Sequence, residues 1–337
     1  MRVQISQIEY HLPETVVTNA MLAAENPLWD VKLVEQRSGV SARHVAADGE
    51  TALDLAVAAC GKLFAAHPDI AAQVEAIVFC TQSQDYIMPP NSCVLHERLG
   101  LKENVFAIDI NSACAGFVHG LALANGLIAS GQVRNALLIN ADTYSKFIHP
   151  KDRSTRLLFG DGAAATWLTR AEADDRGVRD ILCATWGKLH DKFIIPAGGC
   201  RLPRSPDTAC EIVRDKGGVT TQDHINMDGM GILTFVTGKV PQQVRELLER
   251  NQLKADDIDL FLFHQASKVA LESLTRVLRL DPKKVFSNLP QVGNLVSASL
   301  PVAMKDAIDQ GALKPGMKVL ACGFGVGLTW GSAIIDF

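Results

Sequence analysis

Ile108-Asp109-Ile110-Asn111-Ser112-Ala113-Cys114-Ala115-Gly116-Phe117 lies between two runs of different texture. Upstream, residues 104–110 are apolar and strand-like. Downstream, residues 116–130 form a long run rich in Ala, Leu and Gly that ends in Ser130-Gly131, a helix stop. Cys114 is thereby expected on a strand-to-helix turn, among residues small enough for a substrate to approach. The first N–H groups of a helix are unpaired and carry partial positive charge, a setting that lowers a thiol pKa and favours the nucleophilic thiolate. The competing reading is a buried structural cysteine, because free Cys is among the most buried residue types.

The rest of the 337-residue chain has ample length for a real core, as one large domain or two smaller ones. Apolar content of 47% and charged content of 21% describe an ordinary globular protein, and a net charge of −4 gives no support for nucleic-acid binding. The most apolar stretch, 113–130, is interrupted by His119 and Asn125 and is too short and broken to cross a bilayer, so no membrane association is expected. The eight cysteines are scattered with no CxxC pair, which argues against a metal site. With no signal-peptide pattern at the start, reduced thiols and a cytoplasmic location are the expectation.

Strands and helices alternate outward from the cysteine turn. Strands are expected over 3–10, 74–80, 136–141 and 163–168, and helices over 51–67 and 91–99. Gly160-Asp161-Gly162 reads as a hairpin-turn signal. Residues 29–43 form an amphipathic segment with Trp29, Arg37 and Arg43, which alone reads as a solvated helix face with one packed aromatic. Residues 187–231 are rich in Pro, Gly and charge, equally an entrance-shaping lid or a surface insertion. Then the first half recurs. A helix over 240–251 is followed by a strand at 257–263 resembling 74–80. A helix at 268–278 resembles 91–99, and the strands 318–322 and 328–335 mirror the pair around Gly160-Asp161-Gly162. Two similar halves, 1–170 with the cysteine and 171–337 with the insertion, indicate a duplicated α/β unit with a site between them.

The second half supplies three more candidates. His264 directly follows its strand in Phe263-His264-Gln265-Ala266-Ser267; alone it also fits a satisfied core histidine. Asn294, in Val292-Gly293-Asn294-Leu295, also fits an ordinary loop residue. Gly323-Phe324-Gly325-Val326-Gly327 brings backbone N–H groups close to a ligand if the turn is tight. Together with Arg37-Ser38-Gly39-Val40, Arg43-His44, Asp152-Arg153 and Phe159 to Ala163, these segments resemble the ketoacyl-acyl-carrier-protein synthase III enzymes of the thiolase superfamily, in that family's order over nearly the whole chain.

The resemblance implies a duplicated five-layer α-β-α-β-α fold, a homodimer, and Cys114, His264 and Asn294 as the catalytic triad. It implies that Cys114 takes an acyl group from an acyl-CoA. A malonyl-type thioester then loses carbon dioxide, and its enolate is held by neutral His264 and Asn294. No metal or other cofactor enters this chemistry. Backbone N–H groups of Cys114 and Val326 would form the oxyanion hole, Val326 standing where the family commonly has glycine. Trp29, Arg37 and Arg153 would bind the coenzyme A nucleotide.

Departures from the family pattern are Ser267 in place of asparagine, and Thr234 and Val269 at positions where basic residues help dock the acidic acyl carrier protein. Coenzyme A thioesters are therefore expected to serve at least as well as carrier-bound ones. Competing readings are acyl transfer to an oxygen or nitrogen nucleophile without decarboxylation, a non-catalytic partner subunit, and a cysteine hydrolase. The intact set Cys114, His264 and Asn294 argues against the subunit. Asn294 argues against simple transfer, which makes no enolate.

Overall fold

The computed structural model describes residues 2–171, 176–214 and 218–337. The first half contains β1 (Val3–His11), α1 (Ala52–Ala66), β2 (Ala76–Cys80), α2 (Asn91–Arg98), β3 (Phe106–Ile110), α3 (Gly116–Ala129), β4 (Asn135–Asp142) and β5 (Gly162–Arg170). The second half contains β6 (Gly177–Thr185), α4 (Gly229–Arg250), β7 (Leu260–Phe263), α5 (Lys268–Leu278), α6 (Ser299–Asp309), β8 (Lys318–Gly325) and β9 (Thr329–Asp336).

Each half builds one mixed sheet with the same plan. The first runs β1-β5-β4-β2-β3, with β1, β5 and β4 antiparallel in turn and β4, β2 and β3 parallel. The second runs β6-β9-β8-β7, again two antiparallel pairings followed by a parallel one. Its fifth strand is reduced to one parallel bridge between Phe261 and Val285.

Helices α3 and α6 lie between the sheets. Phe117, Val118 and Leu121 of α3 and Leu300, Ala303 and Met304 of α6 share one buried cluster with residues of both sheets. Such helices must be apolar all round, which is why 116–130 reads as a continuous apolar run. Outside, α1 covers the first sheet through Leu53, Leu55 and Leu63, and α4 covers the second through Val240, Val244 and Leu247. The result is the duplicated α-β-α-β-α stack. Strand β2, inside its sheet, is buried at every residue, whereas β3 at the edge leaves Phe106 48% and Ile108 38% exposed.

Three local expectations change. Gly160-Asp161-Gly162 is not a hairpin turn, because β5 pairs with β4, which ends at Asp142, and the connection between them is long. Gly160 is needed instead for close approach: a Cβ there would lie 2.6 Å from the Val292 carbonyl oxygen. Asp161 is buried and accepts from the N–H groups of Ala46 and Ser145 at 2.8 and 3.0 Å. Arg43 is no solvated residue: it is 1% exposed and donates to Asn19 Oδ1 and the Leu157 carbonyl at 2.7 and 2.8 Å. The helix expected from 240 begins at Gly229, where Asp228 caps it by accepting from the Gly231 N–H at 2.9 Å. The 187–231 insertion includes two small two-stranded pairings, Phe193–Ile194 with Asn226–Met227 and Ile212–Val213 with Val219–Thr220. Its residues 215–217 lie outside the described residues.

Candidate active site

Cys114 stands on the turn between β3 and α3, 3% exposed. The end of β8 comes from the other half to press against it. A Cβ on Gly325 would lie 2.7 Å from Cys114 Cβ and 2.8 Å from its Sγ, and one on Gly323 only 2.6 Å from the Cys114 carbonyl oxygen. Glycine is required at both positions by this approach. The backbone N–H groups of Cys114 and of Val326, just past β8, lie close to the sulfur. They favour the thiolate, as expected at a helix start. Burial outweighs them, and with the charge of Asp142 it pushes the thiol up to about 12. The resting residue is a thiol, contrary to the lowered value expected from sequence, because the turn is enclosed by the second half.

His264 follows β7 and is 1% exposed. Its N–H donates to the Cys322 carbonyl at 2.8 Å, and its ring meets Phe324 edge-on with centroids 5.6 Å apart. Burial pushes it down to about 3, so it is neutral. Its Nδ1 is buried without a partner among the described residues. Asn294 is 3% exposed. Its N–H donates to the Leu158 carbonyl and its own carbonyl accepts from Gly160 N–H, both at 3.0 Å. Its Oδ1 accepts from Val296 N–H at 2.9 Å, which leaves Nδ2 as the outward donor. Nδ2 reaches the carbonyl of Ala266, in the His264 loop, at a long 3.5 Å. Cys114, His264 and Asn294 are thereby gathered around the end of β8.

A cavity of about 1070 Å³ lies beside this point. Its lining includes Leu158, bonded to Asn294, and Ser267, three residues after His264, while Cys114, His264 and Asn294 themselves do not line it. Arg37, from the helix Val31–Ser38, and Arg153, from the helix Arg153–Arg156, both line it. Among the described residues neither has an ion-pair partner. Trp29 stands one step back, packed with Leu22, Val31 and Leu157. A third arginine, Arg214, lines the wall and is braced by the Met227 carbonyl at 3.3 Å and by Asn226 Oδ1. Sequence reasoning missed it because the insertion has no periodicity; its signal was a basic residue in an excursion that precedes a helix. Asp228, the acidic residue on this wall, is already paired with Lys192 at 3.0 Å.

The departures from the family pattern are also placed. Ser267 caps α5, its side chain accepting from Ala270 N–H at 3.3 Å, a task asparagine performs equally. Val269 lines the cavity, and Thr234 is exposed one turn into α4. Of the nearby lysines, Lys239 lies over the Trp186 ring at 5.1 Å and Lys268 approaches Glu272 at 3.9 Å.

Residues 108–187 match the family described as 3-Oxoacyl-[acyl-carrier-protein (ACP)] synthase III, and residues 248–337 match its C-terminal counterpart. A beta-ketoacyl-[acyl-carrier-protein] synthase III from Clostridium perfringens is 35% identical over 326 residues, 96% of each chain. A crystal structure of a 3-oxoacyl-(acyl-carrier-protein) synthase III has a TM-score of 0.97 at 38% identity and covers 100% of both chains. The enzyme from Pseudomonas aeruginosa PAO1 has a TM-score of 0.87 at 32% identity, covering 100% of this chain and 98% of its own. With its thiolase-type fold, the chain belongs to the beta-ketoacyl-[acyl-carrier-protein] synthase III family of condensing acyltransferases.

Proposed function

We propose that the protein joins an acyl group, taken from coenzyme A onto Cys114, to a malonyl-type thioester, in fatty-acid or specialised-metabolite biosynthesis. The observation that carries this reading is the meeting of a cysteine under two backbone N–H groups with a neutral histidine and an asparagine amide at one strand end. In the first step Cys114 Sγ attacks the acyl carbonyl. The N–H groups of Cys114 and Val326 hold the developing oxyanion, and the thiol proton leaves with coenzyme A as its free thiol. In the second step the C–CO₂ bond of the malonyl group breaks and its electrons become the enolate. His264 and Asn294 Nδ2 donate to the enolate oxygen. The enolate carbon attacks the acyl-enzyme, the C–S bond to Cys114 breaks, and the departing sulfur takes a proton from solvent water. Carbon dioxide loss provides the carbanion, so the chemistry needs no cofactor. Acyl transfer without decarboxylation has no use for the Asn294 amide.

Trp29, Arg37 and Arg153 bind the coenzyme A nucleotide in this reading, with Arg214 beside the two arginines; Trp29 also packs against the helix that carries Arg37. The unpaired arginines support it, since a guanidinium suits phosphate. The two sheets support a division into halves 1–170 and 171–337. A homodimer fits the open edge of β3, where Phe106 and Ile108 are exposed, and the exposed apolar Ile87 and Met88, 96% and 79% exposed, in the loop before α2. No helix is long and apolar enough to cross a membrane among the described residues. All eight cysteines are free, which supports a reducing, cytoplasmic setting.

The test is intact-protein mass after incubation with a panel of acyl-CoA thioesters. One acyl mass is expected on the native enzyme, with a chain-length preference, and none on Cys114→Ala. An adduct that persists in Cys114→Ala overturns the assignment.

A further inference from the structure

Asp142 ends β4 beneath the site, fully buried, and the reaction as written makes no use of it. Its Oδ1 accepts from the Gln82 N–H at 2.8 Å, and its Oδ2 accepts from the Ser297 N–H and Oγ at 3.2 and 2.6 Å. Gln82 follows β2 in the first half, and its side chain donates to Asn111 Oδ1 at 2.7 Å, three residues before Cys114. Ser297 lies three residues after Asn294 in the second half. The Ser297 side chain abuts the start of α3: a Cβ on Gly116 would lie 3.4 Å from Ser297 Cβ. One carboxylate therefore ties the Asn294 loop to the platform under Cys114.

We propose that Asp142 is the positioning residue of the condensation step, holding the Asn294 amide in register with Cys114 across the junction of the two halves. This rests on the reading of Asn294 as an enolate donor. The groups facing Asp142 are Cys80, Cys114, Tyr144 and Asp161, so its charge is opposed by no cation named among them. Burial above all raises Asp142 itself to about 7. When ionised, it disfavours the Cys114 thiolate and leaves the neutral thiol and the neutral acyl-enzyme untouched. The same carboxylate thus places the enolate donor and biases the sulfur toward its uncharged states.

The experiment uses the full-length enzyme and measures three things in Asp142→Asn. These are Cys114 acylation by an acyl-CoA, carbon dioxide release from malonyl-CoA, and the pH dependence of Cys114 alkylation by iodoacetamide. Release is expected to fall on the order of a hundredfold, the cost of a misplacement of about 1 Å, while acylation changes little. The alkylation midpoint is expected to move down, because a like charge has been removed. A role confined to stability moves neither the midpoint nor the ratio of the two half-reactions. An unmoved midpoint, or equal loss of both half-reactions, overturns the proposal. Ser297→Ala serves if Asp142→Asn does not fold. It keeps the charge but loses the 2.6 Å bond, so release is expected to fall about tenfold with acylation intact, as for loss of one hydrogen bond to a charge. Equal rates in Ser297→Ala and the native enzyme overturn the proposal. If Asn294→Ala abolishes release while Asp142→Asn does not alter it, the proposal fails and the reading of Asn294 stands.

Discussion

Cys114 and Asn294 occupy corresponding places in the two halves. Each lies between the fifth strand position of its sheet and the central helix that follows, α3 in one half and α6 in the other. In the first half the fifth strand is complete and the turn after it is short, so the helix start sets the Cys114 N–H beside the sulfur, where β8 of the other half adds the N–H of Val326. In the second half the fifth strand has shrunk to a bridge at Val285. The freed chain wanders through Gly293 at φ +71° and Val296 at φ +54° before α6 begins. Valine in that conformation is strained, and the bond from Val296 N–H to Asn294 Oδ1 supports it. On the proposed roles, one duplicated plan serves two chemistries. A regular strand-turn-helix presents a nucleophile with a backbone donor beside it, and an irregular one presents a side-chain donor. The first half would then carry the acyl group, and the second would hold the enolate.

The largest test of that division is His264→Ala. Removing one preorganised donor is expected to lower carbon dioxide release from a malonyl thioester by roughly a hundredfold to a thousandfold, with acyl mass still added to Cys114. Loss of acylation to the same degree breaks the division. The same residue has a pH signature. Its folded value, about 3, lies below the ordinary one of 6.5, so it contributes stability that is present above pH 6.5 and is lost as pH falls toward 3. The native enzyme is expected to lose Tm more steeply than His264→Gln between pH 6.5 and 4; parallel curves contradict a buried neutral histidine.

A smaller effect is expected at the entrance. Arg153→Ala is predicted to raise KM for an acyl-CoA about tenfold, the loss of one hydrogen bond to a charged group. KM for the same acyl group on N-acetylcysteamine, which has no nucleotide, is expected to stay unchanged. Equal effects on the two thioesters place Arg153 outside the nucleotide site.

The smallest effect concerns the carrier protein. Thr234 and Val269 supply no charge at the rim, and Lys239 and Lys268 are engaged with Trp186 and Glu272. Val269→Arg is expected to shift kcat/KM toward carrier-bound substrate by a few-fold, as one rim contact is worth about 0.2–1 kcal/mol. The shift is expected to shrink with added salt. A strong, salt-insensitive carrier preference in the native enzyme contradicts this account of the rim.

Much of this was readable in the sequence because both halves repeat a strong pattern. The buried strand at 76–80, the one at 260–263 and the apolar central helix each read as a continuous apolar run, which burial on all sides imposes. Cys114, His264 and Asn294 were readable as strand-end and loop residues in motifs. What escaped depends on contacts between the halves. The thiol pKa reverses direction because β8 closes over Cys114, and no local pattern at 108–117 records that. Gly160 was read as a turn glycine, yet the reason for it is the Val292 carbonyl, which lies far along the chain. Arg214 sits in an insertion without periodicity, and Asp142 ends an ordinary buried strand, so neither residue announces what it touches.

The measurement that bears most directly on the division of labour compares both half-reactions in two variants at once, Cys114→Ala and Asn294→Ala, by intact mass with an acyl-CoA and carbon dioxide release from malonyl-CoA. The account predicts a crossed pattern. Cys114→Ala gains no acyl mass but still releases carbon dioxide, while Asn294→Ala gains the acyl mass and releases carbon dioxide at about a hundredth of the native rate or less. Loss of both half-reactions in both variants, or undiminished release in Asn294→Ala, contradicts it.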